Sequence, residues 1–309
     1  MKSLVFIMDP LESVNPIKDT GFDLMRAAYQ LDYRIVFIPM GGVSKWNDQI
    51  RFSGNIVVPS DSDLENPFII GDSVEISDAE ITAIFIRKEP PFNSTYLTLT
   101  WLLDHVSIPV INSPSGLRTV NEKLWCSQFT SIVPPTLFTR YKADFQLFLD
   151  EHKTVVVKPL NGFGGSQVFI VNQGDTNQQV IFESVTNNGS EEAIVQTYLP
   201  DSKNGDKRVL LLDGEPLGAV LRVHSNTDHR NNMFAGGTTE PAVVTESDLY
   251  IISILKPHLL ALGLRFVGID IIGDKLIEVN ITSPTCLQEM SRFNKEDLAV
   301  KVIKEIMNV

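Results

Sequence analysis

The sequence is short of the residues that most metal and redox chemistry needs. It has two cysteines, Cys126 and Cys286, and five histidines, with no CxxC pair and no Cys/His spacing that would build a tetrahedral zinc site. Nothing near either cysteine supplies a base, so neither reads as a nucleophile, and a reducing cytoplasm is the expected compartment. Positive charge is scarce too: 26 Lys and Arg against 38 Asp and Glu leave a formal net charge of −12. Such a surface repels nucleic acid phosphates and anionic lipid, so neither a nucleic acid nor a membrane partner is expected. Long apolar runs are missing as well. The first eight residues are apolar for too short a stretch and run into Asp9-Pro10, so no targeting or membrane-spanning segment is expected. There is no low-complexity segment and no solenoid period.

What is present is ordinary globular composition, 43% hydrophobic and 21% charged over 309 residues, enough for two or three packed units. Short apolar runs at Leu4 to Met8, Arg34 to Pro39, Ile81 to Arg87 and Val110 to Asn112 alternate with helical patterns, the first over Phe22 to Leu31 with Asp19 or Thr20 as its cap. They predict an open α/β unit with a mostly parallel sheet. Asp9, Arg87 and Asn112 each follow one of these runs, at the strand ends where such sheets bind ligands.

Beyond Asn121 the predicted strands come in neighbouring pairs. Val155 to Lys158 and Gln167 to Val171 flank a glycine loop, and Arg208 to Leu212 and Leu217 to Val223 flank the turn signal Asp213-Gly214. A helical stretch over Glu246 to Leu262, a strand pair over Phe266 to Ile281 and a charged helix over Lys295 to Met307 complete the chain. The expected fold class is α/β and α+β: an N-terminal unit over 1–122, a lid over 123–198 and a C-terminal unit over 199–309, the last two with antiparallel sheets.

Two segments carry chemistry. In Lys158-Pro159-Leu160-Asn161-Gly162-Phe163-Gly164-Gly165-Ser166, three glycines let backbone N–H groups approach phosphate oxygens. The lysine precedes the glycines and a strand follows them, so neither a P-loop nor a dinucleotide fingerprint fits. The remaining reading is a hairpin flap over a triphosphate. In Phe266 to Ile281, Asp270, Glu278 and Asn280 interrupt two apolar strands. A two-residue turn at Gly273-Asp274 places Asp270 opposite Ile277, and a three-residue turn through Lys275 places it opposite Glu278. The apolar pattern selects the second register, because it puts Ile269 and Ile271 on one face with Ile277, Val279 and Ile281. Oxygen donors without His or Cys suit Mg²⁺.

With these residues in view the chain resembles the prokaryotic glutathione synthetases, ligases of the ATP-grasp superfamily, nearly end to end. The likeness rests on Met8-Asp9-Pro10, Ile86 to Phe92, Asn121 to Leu124, the glycine loop, Gln196 to Pro200, Asp206 to Leu210 and Glu278 to Cys286. It implies ATP as co-substrate, γ-glutamylcysteine and glycine as substrates, two Mg²⁺ ions and a homotetramer. By resemblance Lys123, Lys158 and the loop Gly162, Phe163, Gly164, Gly165 and Ser166 would meet the phosphates, and Gln196, Tyr198, Leu199 and Asp206 the rest of the nucleotide. Asp270, Glu278 and Asn280 would hold magnesium. Arg208, Arg222 and Arg230 would serve the reacting groups, the last from a closing loop over 224–237. Just after its closing glycine pair, Gly236-Gly237, Thr238 stands where relatives carry an arginine. Arg87, Asn112, Ser283 and Thr285 would contact substrate, although Arg87 also reads as a surface arginine paired with Glu89. A ligase for another carboxylate, or a nucleotide-binding regulator without turnover, shares the same nucleotide motifs. A hydride-transfer enzyme lacks support because no GxGxxG follows the first strand.

Overall fold

The fold is described from a computed structural model over residues 2–60, 65–162, 165–223 and 238–308. Phe163, Gly164, Arg230 and the expected closing loop lie outside the described residues.

The first sheet contains β1 (Ser3–Met8), β2 (Arg34–Pro39), β3 (Val43–Trp46), β4 (Gln49–Pro59), β5 (Phe68–Ser77), β6 (Ile81–Arg87) and β7 (Val110–Ile111). Strands β2, β1, β6 and β7 run parallel, as their unbroken apolar runs require: β1 is buried at all six positions because helices cover both faces. The expected unit is present, with one extension. Strands β3, β4 and β5 add an antiparallel half through β2. Their pattern mixes exposed polar and apolar positions, and so gave no clean period from which to predict them. Helix α1 (Thr20–Gln30) starts at Asp19, whose carboxylate accepts from Phe22 N at 2.7 Å, and α2 (Ser94–Leu103) and α3 (Pro114–Thr119) pack on the opposite face.

The second sheet has four antiparallel strands, in the order β10 (Phe169–Asn172), β9 (Thr154–Pro159), β11 (Ala193–Thr197) and β8 (Thr136–Thr139), backed by α4 (Lys142–His152) and α5 (Gln178–Val185). The third runs β14 (Thr238–Pro241), β13 (Glu215–Val223), β12 (Asp206–Leu212), β15 (Phe266–Ile272) and β16 (Lys275–Asn280), with α6 (Glu246–Ala261) on one face and α7 (Leu287–Asn294) and α8 (Leu298–Met307) on the other. Asp213 and Gly214 form the expected tight turn, with φ of 51° and 75°. Helix α7 was not foreseen as an element separate from the C-terminal helix.

The first and third sheets share two apolar clusters, whereas the second sheet has its own, built on Phe145, Phe182, Val155 and Val157. Two bodies therefore face each other across a cleft: the fused first and third sheets, and the second sheet. Asn112 is part of the fusion. Its amide donates to Phe266 O and Ile281 O, each at 2.7 Å, and accepts from Phe266 N at 2.9 Å. Buried and with its hydrogen bonds committed to the ends of β15 and β16, Asn112 is a latch between sheets. The expected substrate contact is corrected on that ground. Asn112→Ala leaves three buried backbone groups unpaired and should lower stability by about 3 kcal/mol; urea unfolding followed by tryptophan fluorescence would read the loss.

Candidate active site

The cleft between the second and third sheets is lined from both sides by strand faces whose alternation decides which residues meet it. On β9, Val155 and Val157 enter the core, so Val156 and Lys158 face the cleft. Ile170, Val156, Gln196 and Thr136 stand in one row across four strands, and Gln196 Nε2 donates to Thr136 Oγ1 at 2.9 Å. Tyr198 and Leu199 continue the lining where the chain leaves the second sheet.

The third sheet supplies the acids. Arg208, Asp270 and Glu278 are direct neighbours across β12, β15 and β16, and Arg222 faces Asp206 on the adjoining pair. The turn between β15 and β16 differs from the expected three-residue form. It is the two-residue turn Gly273-Asp274, with Gly273 at φ 61°, and Ile272 pairs with Lys275. A bulge between Asp270 and Ile271 then shifts the register by one residue and brings Asp270 opposite Glu278. The pairing agrees with the expectation and the cause does not. The two-residue turn pairs Leu276 with Ile271 in the core, and the bulge leaves Ile277 in the cleft with Ile272, so Ile277 does not share the face of Val279 and Ile281.

Charge pairing binds these residues into one network. Arg208 donates from Nε and Nη2 to the two Asp270 oxygens at 2.7 and 2.8 Å, and from Nη1 to Thr285 Oγ1 at 3.1 Å. Arg222 Nη2 reaches Asp270 Oδ2 at 2.8 Å and also pairs with Asp206. Burial opposes ionisation of Asp270, yet Arg208 and then Arg222 hold its carboxyl well below the usual range. At Asp206 burial dominates and pushes the carboxyl up. Lys123 Nζ donates to Gly162 O at 2.7 Å and to Glu278 Oε1 at 2.9 Å, which ties the glycine loop to the carboxylate hairpin. Burial opposes the Lys123 charge, but Glu278 outweighs it and raises the ammonium. Lys158 is pushed down by burial, which Glu278 only partly offsets, and its Nζ lies 3.3 Å from Gln196 Oε1.

Asp270, Glu278 and Asn280 come together on one face, and the buried Asn280 Nδ2 has no hydrogen-bond partner. Among the described residues no three His, Cys, Asp or Glu side chains form a cage. Two carboxylates and an amide oxygen fit Mg²⁺, which completes its shell with waters and nucleotide phosphates, better than an ion that needs a full protein shell.

Gly162, Gly165, Ser166, Asp206, Ser283 and Thr285 line the same cleft. Arg87 does not: it is 5% exposed, its Nη2 donates to Pro284 O at 2.9 Å, and its Nε has no partner. That placement corrects both expectations for it, as a substrate anchor and as a surface residue. It supports the segment 283–285 from beneath. Sequence reasoning also passed over Glu122, whose carboxylate accepts from Ile281 N, Thr282 N and Thr282 Oγ1 and so positions the end of β16. Of the apolar cleft residues, Ile277 was placed on the core face, and Ile170 and Ile272 were given no role.

Residues 1–118 match the family model of the prokaryotic glutathione synthetase N-terminal domain, and residues 122–295 that of its ATP-grasp domain. The chain is 39% identical to glutathione synthetase of Synechocystis sp. over 311 residues, with 97% of each chain covered. It is 38% identical to that of Salmonella typhimurium over 294 residues, covering 94% and 93%. Among solved structures it resembles D-cycloserine synthetase (TM-score 0.68, 14% identity, 98% and 99% covered). D-alanine–D-alanine ligase from Bacillus anthracis gives a TM-score of 0.63 at 15% identity, with 100% and 97% covered. At that identity the two structures establish the ATP-grasp fold alone.

Asp270→Asn would leave Arg208 and Arg222 short of a buried counter-charge and should cost about 3–5 kcal/mol. The folded carboxyl ionises below its unfolded value, so its contribution is complete above the unfolded pKa of about 4 and disappears as pH falls through the lower folded value. Urea midpoints should therefore separate the two proteins by a constant gap from pH 7 to about 5, and the gap should narrow progressively as pH falls below about 4.

Proposed function

The chain belongs to the prokaryotic glutathione synthetase family, and we propose how the residues of its cleft carry out the synthesis of glutathione from γ-glutamylcysteine and glycine. It is an ATP-dependent ligase with the ATP-grasp fold, using ATP with Mg²⁺. The observation that carries the assignment of roles is the Lys123 bridge, which brings the glycine loop and the carboxylate hairpin to a single point.

In this reading 1–122 is the substrate-side unit, 123–198 the lid and 199–309 the unit with the metal site, divisions supported by the three separate sheets. The adenine lies between Ile170 and Val156 on one side and Ile272 and Ile277 on the other, with Gln196, Tyr198 and Leu199 along its edge. Lys123, Lys158, Gly162, Gly165 and Ser166 hold the phosphates, with Phe163 and Gly164 in the same loop, and Asp206 completes the nucleotide site. Asp270, Glu278 and Asn280 would hold two Mg²⁺ ions. When bound, these neutralise charge on the phosphates and align the γ-phosphoryl group.

The cysteinyl carboxylate attacks the γ-phosphorus in line, forming a P–O bond as the bond to ADP breaks. The glycine amine then attacks the carbonyl carbon of the acyl-phosphate. Phosphate leaves with the electron pair of the C–O bond, and the amine's surplus protons pass to phosphate and solvent. Arg208 and Arg222, and Arg230 from the loop over 224–237, steady the negative charge in both steps. Ser283 and Thr285 border the substrate. Water must be kept from the acyl-phosphate, which gives a closing lid its purpose.

Buried unpaired thiols at Cys126 and Cys286 suit the cytoplasm. No helix among the described residues is long and apolar enough to cross a membrane. A homotetramer accords with Ile69 and Ile70, 63% and 57% exposed on the outer strand β5. Sedimentation equilibrium should return four times the 34.4 kDa chain mass.

The functional test is ADP release with ATP, Mg²⁺ and glycine. Release should depend on γ-glutamylcysteine, with glutathione identified by mass, and another carboxylate that works better would replace the substrate assignment. Glu278→Gln should lower Mg²⁺-dependent kcat by about 100-fold or more with circular dichroism unchanged, and wild-type-like turnover would remove Glu278 from the metal site.

A further inference from the structure

One carboxylate in the cleft has no assigned task. Glu89 follows β6 at the ligand-binding end of the first sheet, and its main chain is firmly held. Its N–H donates to Asp9 Oδ2 at 2.9 Å, and Lys88 Nζ bridges Asp9 Oδ1 at 3.0 Å and Glu89 O at 2.6 Å. The side chain lines the cleft beside Ser283, whose hydroxyl it meets.

The other acids of the cleft are committed. Glu122 accepts three hydrogen bonds, Asp206 and Asp270 are paired with arginines, and Glu278 is paired with Lys123. Glu89 has no cation within salt-bridge distance among the described residues: Lys88 is engaged by Asp9, and the Arg87 guanidinium is turned to Pro284 O. Burial pushes the Glu89 carboxyl up, and the nearby charges acting on it are Arg87, Asp19 and Asp9. The Glu89 backbone is tied to Asp9 just beyond β1 of the first sheet, whereas the Lys123–Glu278 pair sits between the second and third sheets against Gly162 O. Glu89 therefore lies away from the phosphates, toward the first sheet, in a neighbourhood with three carboxylates to two cations.

On the substrate side, γ-glutamylcysteine carries one ammonium, at the glutamyl end and remote from the reacting cysteinyl carboxylate. The cations of the cleft suit its carboxylates and the nucleotide; only an uncommitted anion suits the ammonium. Resting on the function read above, we propose that Glu89 receives the α-ammonium of the glutamyl residue and selects amine-bearing substrate over an acyl-cysteine that lacks the amine. Glycine is the other source of an ammonium, but it must react as the free amine beside the phosphoryl group, at the end of the cleft where Glu89 is not.

The test compares γ-glutamylcysteine with N-glutarylcysteine, which differs only by that amine. Wild-type enzyme should favour γ-glutamylcysteine in kcat/KM by about 10- to 100-fold, the range of a charge-assisted hydrogen bond. Glu89→Gln should reduce the preference to within about threefold through KM for the dipeptide, and Glu89→Asp should keep part of it. ATP affinity, measured by calorimetry, should be equal in all three proteins and certifies that each is folded. A Glu89→Gln enzyme that retains the wild-type preference overturns the assignment, as does one whose loss falls on KM for glycine. Wild-type enzyme that releases ADP without regard to γ-glutamylcysteine would instead overturn the functional reading itself, before any variant is compared.

Discussion

The site depends on four charges that have to sit on adjoining strands of one sheet: Arg208, Arg222 and Asp270, which are buried, and Asp206, which is partly so. Each would be costly alone in that interior, because an unpaired buried ion loses its hydration without replacement. Pairing makes them tolerable but contributes little net stability, so the network is explained by what it prepares. Asp270 is kept ionised next to Glu278, and two guanidiniums are fixed in orientation before substrate arrives. Little reorganisation then remains for the reaction itself.

Charge placement also explains how a separate body joins the site. The second sheet packs on its own core, and its glycine loop meets the third sheet through Lys123, which bridges Gly162 O and Glu278. A triphosphate with magnesium would offer both partners of this bridge a stronger alternative: phosphate oxygens for the ammonium and a divalent ion for the carboxylate. The same pair that links the two bodies without nucleotide is thus the pair that nucleotide would separate and re-engage. The apolar walls contributed by Ile170 and Ile277 come from opposite bodies, so filling the space between them joins the bodies a second time.

Much of this was legible in the sequence because strand alternation and turn chemistry act locally. Asp213-Gly214 announces a tight turn, Asp19 a helix cap, and the spacing of Glu278 and Asn280 a shared face. The hairpin register shows where local reasoning fails. The apolar pattern required Asp270 opposite Glu278, and an extra turn residue looked like the simplest way to achieve it; a bulge does so while keeping the tighter turn and diverting Ile277 into the cleft. A bulge leaves no composition signal. Arg87 and Asn112 failed for another reason. Polar residues at strand ends do mark the ligand-binding edge of an open sheet, but the third sheet is packed against that edge and takes both side chains for its own backbone. No spacing within the first 122 residues could reveal a partner found more than 150 positions later.

The absence of a protein nucleophile follows from the same electrostatics. Cys126 lies against this cleft, with its thiol near Lys123 O and Ile277 O, but burial pushes it up to about 12, so it stays protonated and unreactive at neutral pH. The substrates bring their own nucleophiles, a carboxylate and then an amine, and both must approach a polyanion. A site for such chemistry needs cations held in reserve by weak internal partners that phosphate can displace, and it must discriminate between one carboxylate and another by groups remote from the reaction. Lys123 meets the first requirement, and the arginines, held in place by Asp270 and Asp206, add fixed positive charge beside it. The second calls for an anion left unpaired inside an otherwise balanced cleft, an arrangement that folding alone would disfavour and that binding an ammonium would relieve.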